Sequence, residues 1–338
     1  MSSVEGVFAL NTILNSYTAI RSLIDKEPIH DRPFLVKDKI KGVGKNGRSF
    51  LSLLIGDKTG YVDARVWDRV DELSEIFQSG EIIIIKGQVQ VYAGRKQIVV
   101  HKIEKPAVGT YKIDDFVSEG KKVDSFACYS EIIAIVNQLQ SPAIKQILLD
   151  SLTDEEIKSL LLKSAAAKTI HHAWSGGLIE HILSICKLMK MMSIHYSFLN
   201  YDLLIFGAIF HDLGKIWELE INNNLIQYTH KGRLLGHMQL ACELIDKKAS
   251  RILGFPEDLK DILKHIVLSH HGRLDYGSPK RPKFAEALVV AMIDDLDSKI
   301  NTVQTFIENE RQSGESWSRY NENFERYFLL DNLKDRWL

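Results

Sequence analysis

The order of hydrophobic and polar residues divides the chain into two regions with different periods. Between Pro33 and Pro106, apolar residues alternate with polar ones in short runs that are separated by turn residues, mostly glycines. Such a period of two is typical of half-buried β-strands. Five runs, with a helical stretch from Asp68 to Phe77 between the third and the fourth, predict a small barrel with the layout of an OB-fold.

A second region begins near Ser125 and keeps an apolar period of 3.6 residues to about Glu308. Its segments, such as the one containing Leu178, Ile182 and Ile185, are separated mainly by Gly and Pro. This pattern is typical of amphipathic helices. The predicted fold class is therefore multidomain α+β, with an N-terminal OB-fold β-barrel followed by an all-α domain.

The two regions and the segments around them give five predicted parts. These are an N-terminal helical extension (1–29), the barrel (30–106), a linker (107–124), the helical domain (125–310) and a C-terminal tail (311–338). The tail is rich in aromatic residues, so we expect it to pack on the helical domain or to form an interface in a homo-oligomer.

Composition favours a folded cytoplasmic protein. Hydrophobic residues make up 45% of the chain and charged residues 26%, which suits a domain with a buried core. No apolar run approaches the ~18 residues of a membrane span, and the N-terminus lacks a secretory pattern. The three cysteines are far apart, which favours reduced thiols. We expect no membrane partner.

The whole chain has a net charge of −1, but the predicted barrel is basic. Residues 30–106 contain 14 Lys and Arg against 10 Asp and Glu, and five cations lie close together: Lys37, Lys39, Lys41, Lys45 and Arg48. Such a cluster attracts nucleic-acid phosphates.

Alternation along GYVDARVW places Tyr61, Arg65 and Trp67 on the outer side of the third strand. Exposed aromatic rings there would stack single-stranded bases, although packing of Trp67 against the adjoining helix is an open alternative. The predicted nucleic-acid-binding residues are Lys37, Lys39, Lys41, Arg48, Tyr61, Arg65 and Trp67.

Histidines and aspartates crowd the helical region. All but two of the 12 histidines lie between His171 and His271. In apolar segments an unpaired imidazole or carboxylate is costly, and a bound metal removes that cost. These ligand types, without thiolate, favour manganese, iron, cobalt or zinc, and their number exceeds what one tetrahedral zinc needs. The stretches are GGLIEHIL, FHDLGK, GRLLGHM, LSHHG and VAMIDDLDSK.

These five ordered stretches resemble the HD-domain metal-dependent phosphohydrolases. The succession of an OB-fold and motifs such as GAIFHDLGKIWE and YTHKGRLLGHM is similar to the bacterial YhaM-type 3′→5′ exoribonucleases, from about residue 30 to the C-terminus. The resemblance implies a hydrolase that cuts single-stranded RNA, with single-stranded DNA as a further substrate, into 5′-mononucleotides. It also implies two divalent ions, with Mn²⁺ expected before Fe, Co or Zn.

The resemblance also assigns roles to single residues. Asp212 would bridge the two ions, and Lys215 would neutralise phosphate charge beside it, so these two are the predicted catalytic residues. The D-x-x-D pattern favours Asp294 over Asp295 as a ligand, whereas His271 competes with His270. The predicted metal ligands are His181, His211, Asp212, His237, His270 and Asp294.

Four further residues are candidates for contact with substrate phosphate: His171, His172, Arg233 and His271. The alternatives are a helix cap for the first pair and a solvated loop for Arg233.

Two other functions compete with an exoribonuclease. One is an HD phosphohydrolase of small nucleotides such as cyclic dinucleotides or alarmones, although HHGRLDYGSP departs from the pattern of the cyclic-di-GMP branch. The other is a non-catalytic RNA-binding protein, against which the intact set of candidate ligands argues.

Overall fold

The structure is a computed structural model with two compact units, a barrel and a helical unit that begins at Val123. It describes residues 19–44, 47–92, 95–107, 110–111, 116, 123–166, 174–222, 225–311, 315–318, 320–321 and 323–333.

The barrel unit has the predicted OB-fold layout. Its five strands close in the order β1-β2-β3-β5-β4, and β1 also pairs with β4. Neighbouring strands are antiparallel except β3 and β5, which are parallel. The helix α1 (Val70–Ile76) follows β3, as predicted. The strands are β1 (Pro28–Val43), β2 (Ser49–Asp57), β3 (Gly60–Val66), β4 (Ile82–Tyr92) and β5 (Arg95–Glu104).

The end of the predicted N-terminal extension belongs to this barrel. A 3₁₀ turn at Ile20–Ser22 leads to Leu23, and the Ile20 and Leu23 side chains are buried in the barrel core. The Ile20 N–H donates to Asp57 Oδ2 at 3.0 Å, and Arg32 pairs with the same oxygen at 2.6 Å. Residues 1–18, which complete the predicted extension, lie outside the described residues.

The helical unit contains nine α-helices within its described residues. They are α2 (Ser125–Asn137), α3 (Pro142–Leu152), α4 (Glu155–Leu161), α5 (Gly177–His195), α6 (Tyr201–Phe210), α7 (Lys215–Glu218), α8 (His230–Ala249), α9 (Glu257–Ser269) and α10 (Ala285–Glu310).

A two-stranded hairpin interrupts the helices, which the expectation of an all-α domain did not include. Its strands are β6 (Leu219–Asn222) and β7 (Leu225–Tyr228). The segment LEINNNLIQY is too short for a stable helix, and its three consecutive asparagines favour a turn between two strands.

Side-chain caps start five of the helices. Each capping residue accepts a hydrogen bond from the backbone N–H three residues on, which satisfies a donor without an intrahelical partner. The caps of α2, α3, α4, α6 and α8 are Asp124, Ser141, Asp154, Asn200 and Thr229.

The central helix α6 determines where the candidate site lies. Every residue from Leu204 to Phe210 is buried, and its neighbours α5, α9 and α10 contribute to the same core. A helix that is apolar on all sides lies inside a domain. The next residues, His211 and Asp212, are therefore carried into the interior, where their side chains are 0% and 2% exposed.

The described part of the C-terminal tail packs on the end of α10. The Phe328 ring lies 5.9 Å from that of Phe306, and Arg311 Nε donates to Leu330 O at 2.8 Å. This packing agrees with one of the two roles expected for the tail.

The three cysteines are free thiols. Burial raises the pKa of Cys186 to about 12 and that of Cys242 to about 11, so neither thiol is reactive at neutral pH. No helix in the described part of the chain is long and apolar enough to cross a membrane.

Candidate metal centre

Four predicted ligands come together at the C-terminal end of α6. His181 on α5, His211 and Asp212 after α6, and Asp294 on α10 present ligand atoms that all lie within 4.8 Å of one another. His181 Nε2 is 3.3 Å from His211 Nε2 and 3.3 Å from Asp294 Oδ1. These four residues form the first cluster, and all four are among the predicted metal ligands.

A second cluster lies on the other side of Asp212. Asp212 Oδ2 faces His181 and His211, whereas Oδ1 lies 3.6 Å from His237 Nε2 and 3.7 Å from His270 Nε2. The carboxylate therefore lies between the clusters, as a bridging ligand would.

The second cluster also includes His271. Its ring centroid lies 4.3 Å from that of His270 and 5.5 Å from that of His237, and the three imidazoles can share one ion. The geometry brings both His270 and His271 to this cluster, so both stay candidate ligands.

Three atoms of the second cluster are buried without a hydrogen-bond partner in the described part of the chain: Asp212 Oδ1, His237 Nε2 and His270 Nε2. Such atoms cost free energy when they remain unsatisfied. All three are acceptor or ligand atoms that face one another, so a cation fits between them. The residues present thus fit the divalent ion that their chemistry implies.

Oxygen acceptors hold all five rings in one tautomer. Each Nδ1 lies 2.7–3.2 Å from an oxygen that accepts a hydrogen bond, so in the neutral form of each ring Nδ1 carries the proton and Nε2 keeps its lone pair for an ion. The acceptors are Asp297 for His181, the Gly207 and Ala208 carbonyls for His211, Glu218 for His237, the Val267 carbonyl for His270 and the Tyr276 carbonyl for His271.

The electrostatics of the first cluster favour positive charge. Burial alone would lower the pKa of His181, but hydrogen bonds to Asp294 and Asp297 outweigh it and raise the pKa to about 9. Burial would likewise raise the pKa values of Asp212 and Asp294, but Lys215 and neighbouring imidazoles at Asp212, and the imidazoles of His211 and His181 at Asp294, hold both well below the ordinary value. Both carboxylates therefore stay ionised and can bind a cation.

His270 has the opposite shift. Burial, together with the nearby imidazole of His211, holds the pKa of His270 well below its ordinary value. A neutral imidazole keeps the lone pair that metal binding requires.

Two glycines let the second cluster form. The helix α8 is broken at Gly236, whose φ of +74° favours glycine. The break leaves the His237 N–H free to donate to Glu218 Oε1 at 3.0 Å. A Cβ atom at Gly214 would lie 2.0 Å from the His237 carbonyl oxygen, so only glycine lets the two segments approach.

Lys215 lies within the site, as predicted. Its Nζ donates to Asp212 Oδ2 at 2.7 Å, and its side chain is 13% exposed. Burial would lower the pKa of Lys215, but the charge of Asp212 outweighs burial and raises it. The ammonium therefore remains charged beside the bridging carboxylate.

Two of the four candidates for contact with substrate phosphate lie within the described residues. Arg233 is exposed on the first part of α8, and His271 joins the second cluster. His171 and His172 lie outside the described residues.

Both carboxylates that accept a hydrogen bond from a ring Nδ1, Glu218 and Asp297, were not predicted to do so. Glu218 ends α7 and is buried between its helix and His237, while Asp297 entered the sequence analysis only as part of a spacing pattern. The signal that could have found them is general: a metal-binding histidine needs an acceptor for its second ring nitrogen.

The outer face of β3 matches the predicted alternation. Val62, Ala64 and Val66 are buried, whereas Tyr61 and Trp67 are each 52% exposed. Trp67 is therefore not sealed against α1. Its ring lies 5.6 Å from that of Phe50, Arg65 lies 5.9 Å over Phe50, and Lys37 lies 5.2 Å over Tyr61. The exposed rings of Tyr61 and Trp67 and the partly buried side chains beside them form one surface, which we call the barrel platform: Lys37, Phe50, Tyr61, Arg65 and Trp67.

Lys39, one of the predicted nucleic-acid-binding residues, contacts other residues of the barrel unit. Its ammonium lies within hydrogen-bond distance of the carbonyl oxygens of Ser74 and Phe77 and of the Gln78 side chain, at the end of α1. Lysines near a helix C-terminus commonly bind such carbonyls. Lys41 pairs with the exposed Asp71 at 2.6 Å, and Arg48 is exposed.

Two family models match the chain. Residues 34–106 match an OB-fold nucleic acid binding domain, and residues 178–299 match the HD domain. The second range contains every predicted ligand, from His181 to Asp294. Both matches agree with the two units of the structure.

Curated relatives match nearly the whole chain. The 3′-5′ exoribonuclease YhaM of Halalkalibacterium halodurans is 33% identical over 89% of this chain and 93% of its own length. The chain belongs to the YhaM family. The proteins of the same name from a Geobacillus strain and from Bacillus subtilis are 34% and 31% identical over 88% and 89% of this chain, and 88% and 92% of their own lengths. The predicted family, fold class and hydrolase class are confirmed.

In this YhaM-family chain, Glu218→Gln is expected to weaken binding of a divalent cation at the second cluster by about 10–100-fold, the usual effect of losing the hydrogen-bond partner of a metal ligand. The amide holds His237 less firmly than the carboxylate does. Titration of the purified chain with Mn²⁺, followed by calorimetry, measures the change.

The matched control is Glu220→Gln, an exposed residue two positions away on β6. It removes the same charge without touching His237, so Mn²⁺ binding should stay at the wild-type level. Equal weakening by both substitutions would contradict the role of Glu218.

Proposed function

We propose that the protein is a 3′-5′ exoribonuclease that hydrolyses single-stranded RNA, and single-stranded DNA as a further substrate, to 5′-mononucleotides. Two divalent ions would assist, Mn²⁺ first among them, with Fe, Co and Zn as alternatives. The observation that carries the proposal is the convergence of four imidazole Nε2 atoms, those of His181, His211, His237 and His270, on the two oxygens of Asp212, with Asp294 beside them.

The donor set supports a pair of ions. The first would be held by His181, His211, Asp212 and Asp294, and the second by Asp212 with His237, His270 and His271. Ions held there would supply Lewis acidity toward a phosphodiester and a nucleophilic water.

The chain's own residues account for the electrostatics around these ions. A phosphodiester is an anion, and Lys215 offers it a charged ammonium that burial keeps away from bulk water. The carboxylates of Asp297 and Glu218 keep the His181 and His237 rings in the ligating tautomer.

The barrel platform supports single-stranded RNA as the substrate class. Half-exposed Tyr61 and Trp67 offer faces on which bases stack, while Lys37 and Arg65 lie over neighbouring rings and supply positive charge. Stacking needs unpaired bases, which favours single strands over duplexes.

The cysteines and the relatives of the chain bear on its location. We propose a cytoplasmic protein, in line with its free cysteines and its bacterial exoribonuclease relatives. Homo-oligomer formation stays a prediction.

Asp294→Asn is expected to reduce the shortening of a 5′-labelled single-stranded RNA in Mn²⁺ by more than about 100-fold, because loss of a ligand exceeds the effect of losing an outer partner. The wild type should give a ladder that shortens from the 3′ end, and chromatography should identify 5′-mononucleotides.

Asp295→Asn is the matched control. The neighbouring Asp295 is exposed and pairs with Lys299, so activity should be nearly unchanged. If wild-type protein left RNA intact but hydrolysed a cyclic dinucleotide, the exoribonuclease proposal would be wrong.

Trp67→Ala is expected to weaken RNA binding by about 5–150-fold, the effect of losing one base–aromatic stack. Fluorescence anisotropy of a labelled RNA measures it, with Asp212→Ala present in every sample to prevent digestion. Lys39→Ala is the contrasting variant. It should leave affinity nearly unchanged and lower the free energy of unfolding by about 1 kcal/mol. Unchanged affinity in Trp67→Ala together with weakened affinity in Lys39→Ala would show that Trp67 does not contact RNA.

A further inference from the structure

A short loop continues directly from the second cluster. After His271 the chain turns through a 3₁₀ helix, Leu274–Tyr276, and returns to the domain at Ser278, which is 3% exposed. His271 Nδ1 donates to the Tyr276 carbonyl at 2.9 Å, and the Ser278 N–H donates to Arg273 O at 3.3 Å. The loop is thus fastened to a candidate ligand at one end and to the core at the other.

The side chains of this loop are presented to solvent. Tyr276 is 61% exposed, and the Arg273 guanidinium lies 5.8 Å from its ring centroid. In the described part of the chain, Arg273 forms no ion pair within 4.0 Å, and the Tyr276 hydroxyl has no hydrogen-bond partner. A single exposed tyrosine is ordinary on a protein surface. This one carries an unpaired arginine on its face, and its backbone holds a candidate ligand in its tautomer.

Together these features suit a nucleotide beside a scissile phosphate. A tyrosine ring stacks on any base, and a guanidinium binds phosphate oxygens. We infer that Tyr276 stacks on the base of the 3′-terminal nucleotide and that Arg273 binds the adjacent phosphate. This inference rests on the proposed function, and it adds the part of the RNA that this loop recognises.

Two RNAs test the assignment, one ending in adenosine and one ending in an abasic ribose at the same position. Wild-type kcat/KM should be about 5–150-fold lower on the abasic RNA, because one stack is lost. Tyr276→Ala should lower kcat/KM on the adenosine RNA by the same factor, mainly through KM, and should cause no further loss on the abasic RNA.

The fold should survive these changes, because the loop is anchored by the Tyr276 carbonyl and not by its side chain. Tyr276→Phe keeps the ring and should restore wild-type values. Arg273→Ala should lower kcat/KM on both RNAs by about 10-fold, since the abasic end keeps its phosphate. Tyr196→Ala, at the far end of α5 from His181, is the matched control and should change neither.

The possible results separate the two proposals. If Tyr276→Ala lowers activity equally on both RNAs, or on neither, the stacking role is wrong while the exoribonuclease stands. If the wild type shortens neither RNA, both the proposed function and this assignment are wrong.

Discussion

A buried carboxylate with lone pairs on both sides is the constraint on which the helical unit depends. Asp212 is 2% exposed, and imidazole nitrogens face both of its oxygens at 3.5–3.7 Å. Ionised and lone-pair groups in such a place are unfavourable unless a cation joins them. Lys215 supplies one positive charge, but it reaches only Oδ2. On the Oδ1 side, a cation from outside the chain would satisfy the carboxylate and the two imidazoles that face it.

The surrounding fold serves this arrangement. The helix α6, which is apolar from Leu203 to Phe210, carries His211 and Asp212 into the core, and the break at Gly236 turns His237 toward them. Outside α6, oxygen acceptors on α7, α9, α10 and the 3₁₀ turn at Leu274–Tyr276 bind the Nδ1 atoms of the rings. The orientation of the rings therefore depends on backbone geometry as much as on side-chain packing. Preorganisation of this kind lets an ion bind without reordering its ligands.

Histidine and aspartate in apolar helical segments are costly, so they indicated a metal site in the sequence, and the family resemblance assigned the individual candidate ligands. Sequence reasoning identified the barrel because apolar and polar residues alternate along a half-buried strand, whichever other strand it pairs with. It missed Glu218 as the hydrogen-bond partner of His237. The two residues are 19 positions apart, and their contact depends on the break of α8 at Gly236. It assigned Lys39 to RNA because charge is visible in a sequence, whereas its contacts at the end of α1 depend on tertiary structure.

The central claim is that one carboxylate bridges two ions. The most direct test is electron paramagnetic resonance of the chain loaded with Mn²⁺, together with elemental analysis. Two ions about 3.5–4 Å apart should give two manganese per chain and a spin-coupled spectrum that is lost in Asp212→Ala. One manganese per chain, or two that give the six-line spectrum of isolated ions, would contradict the account.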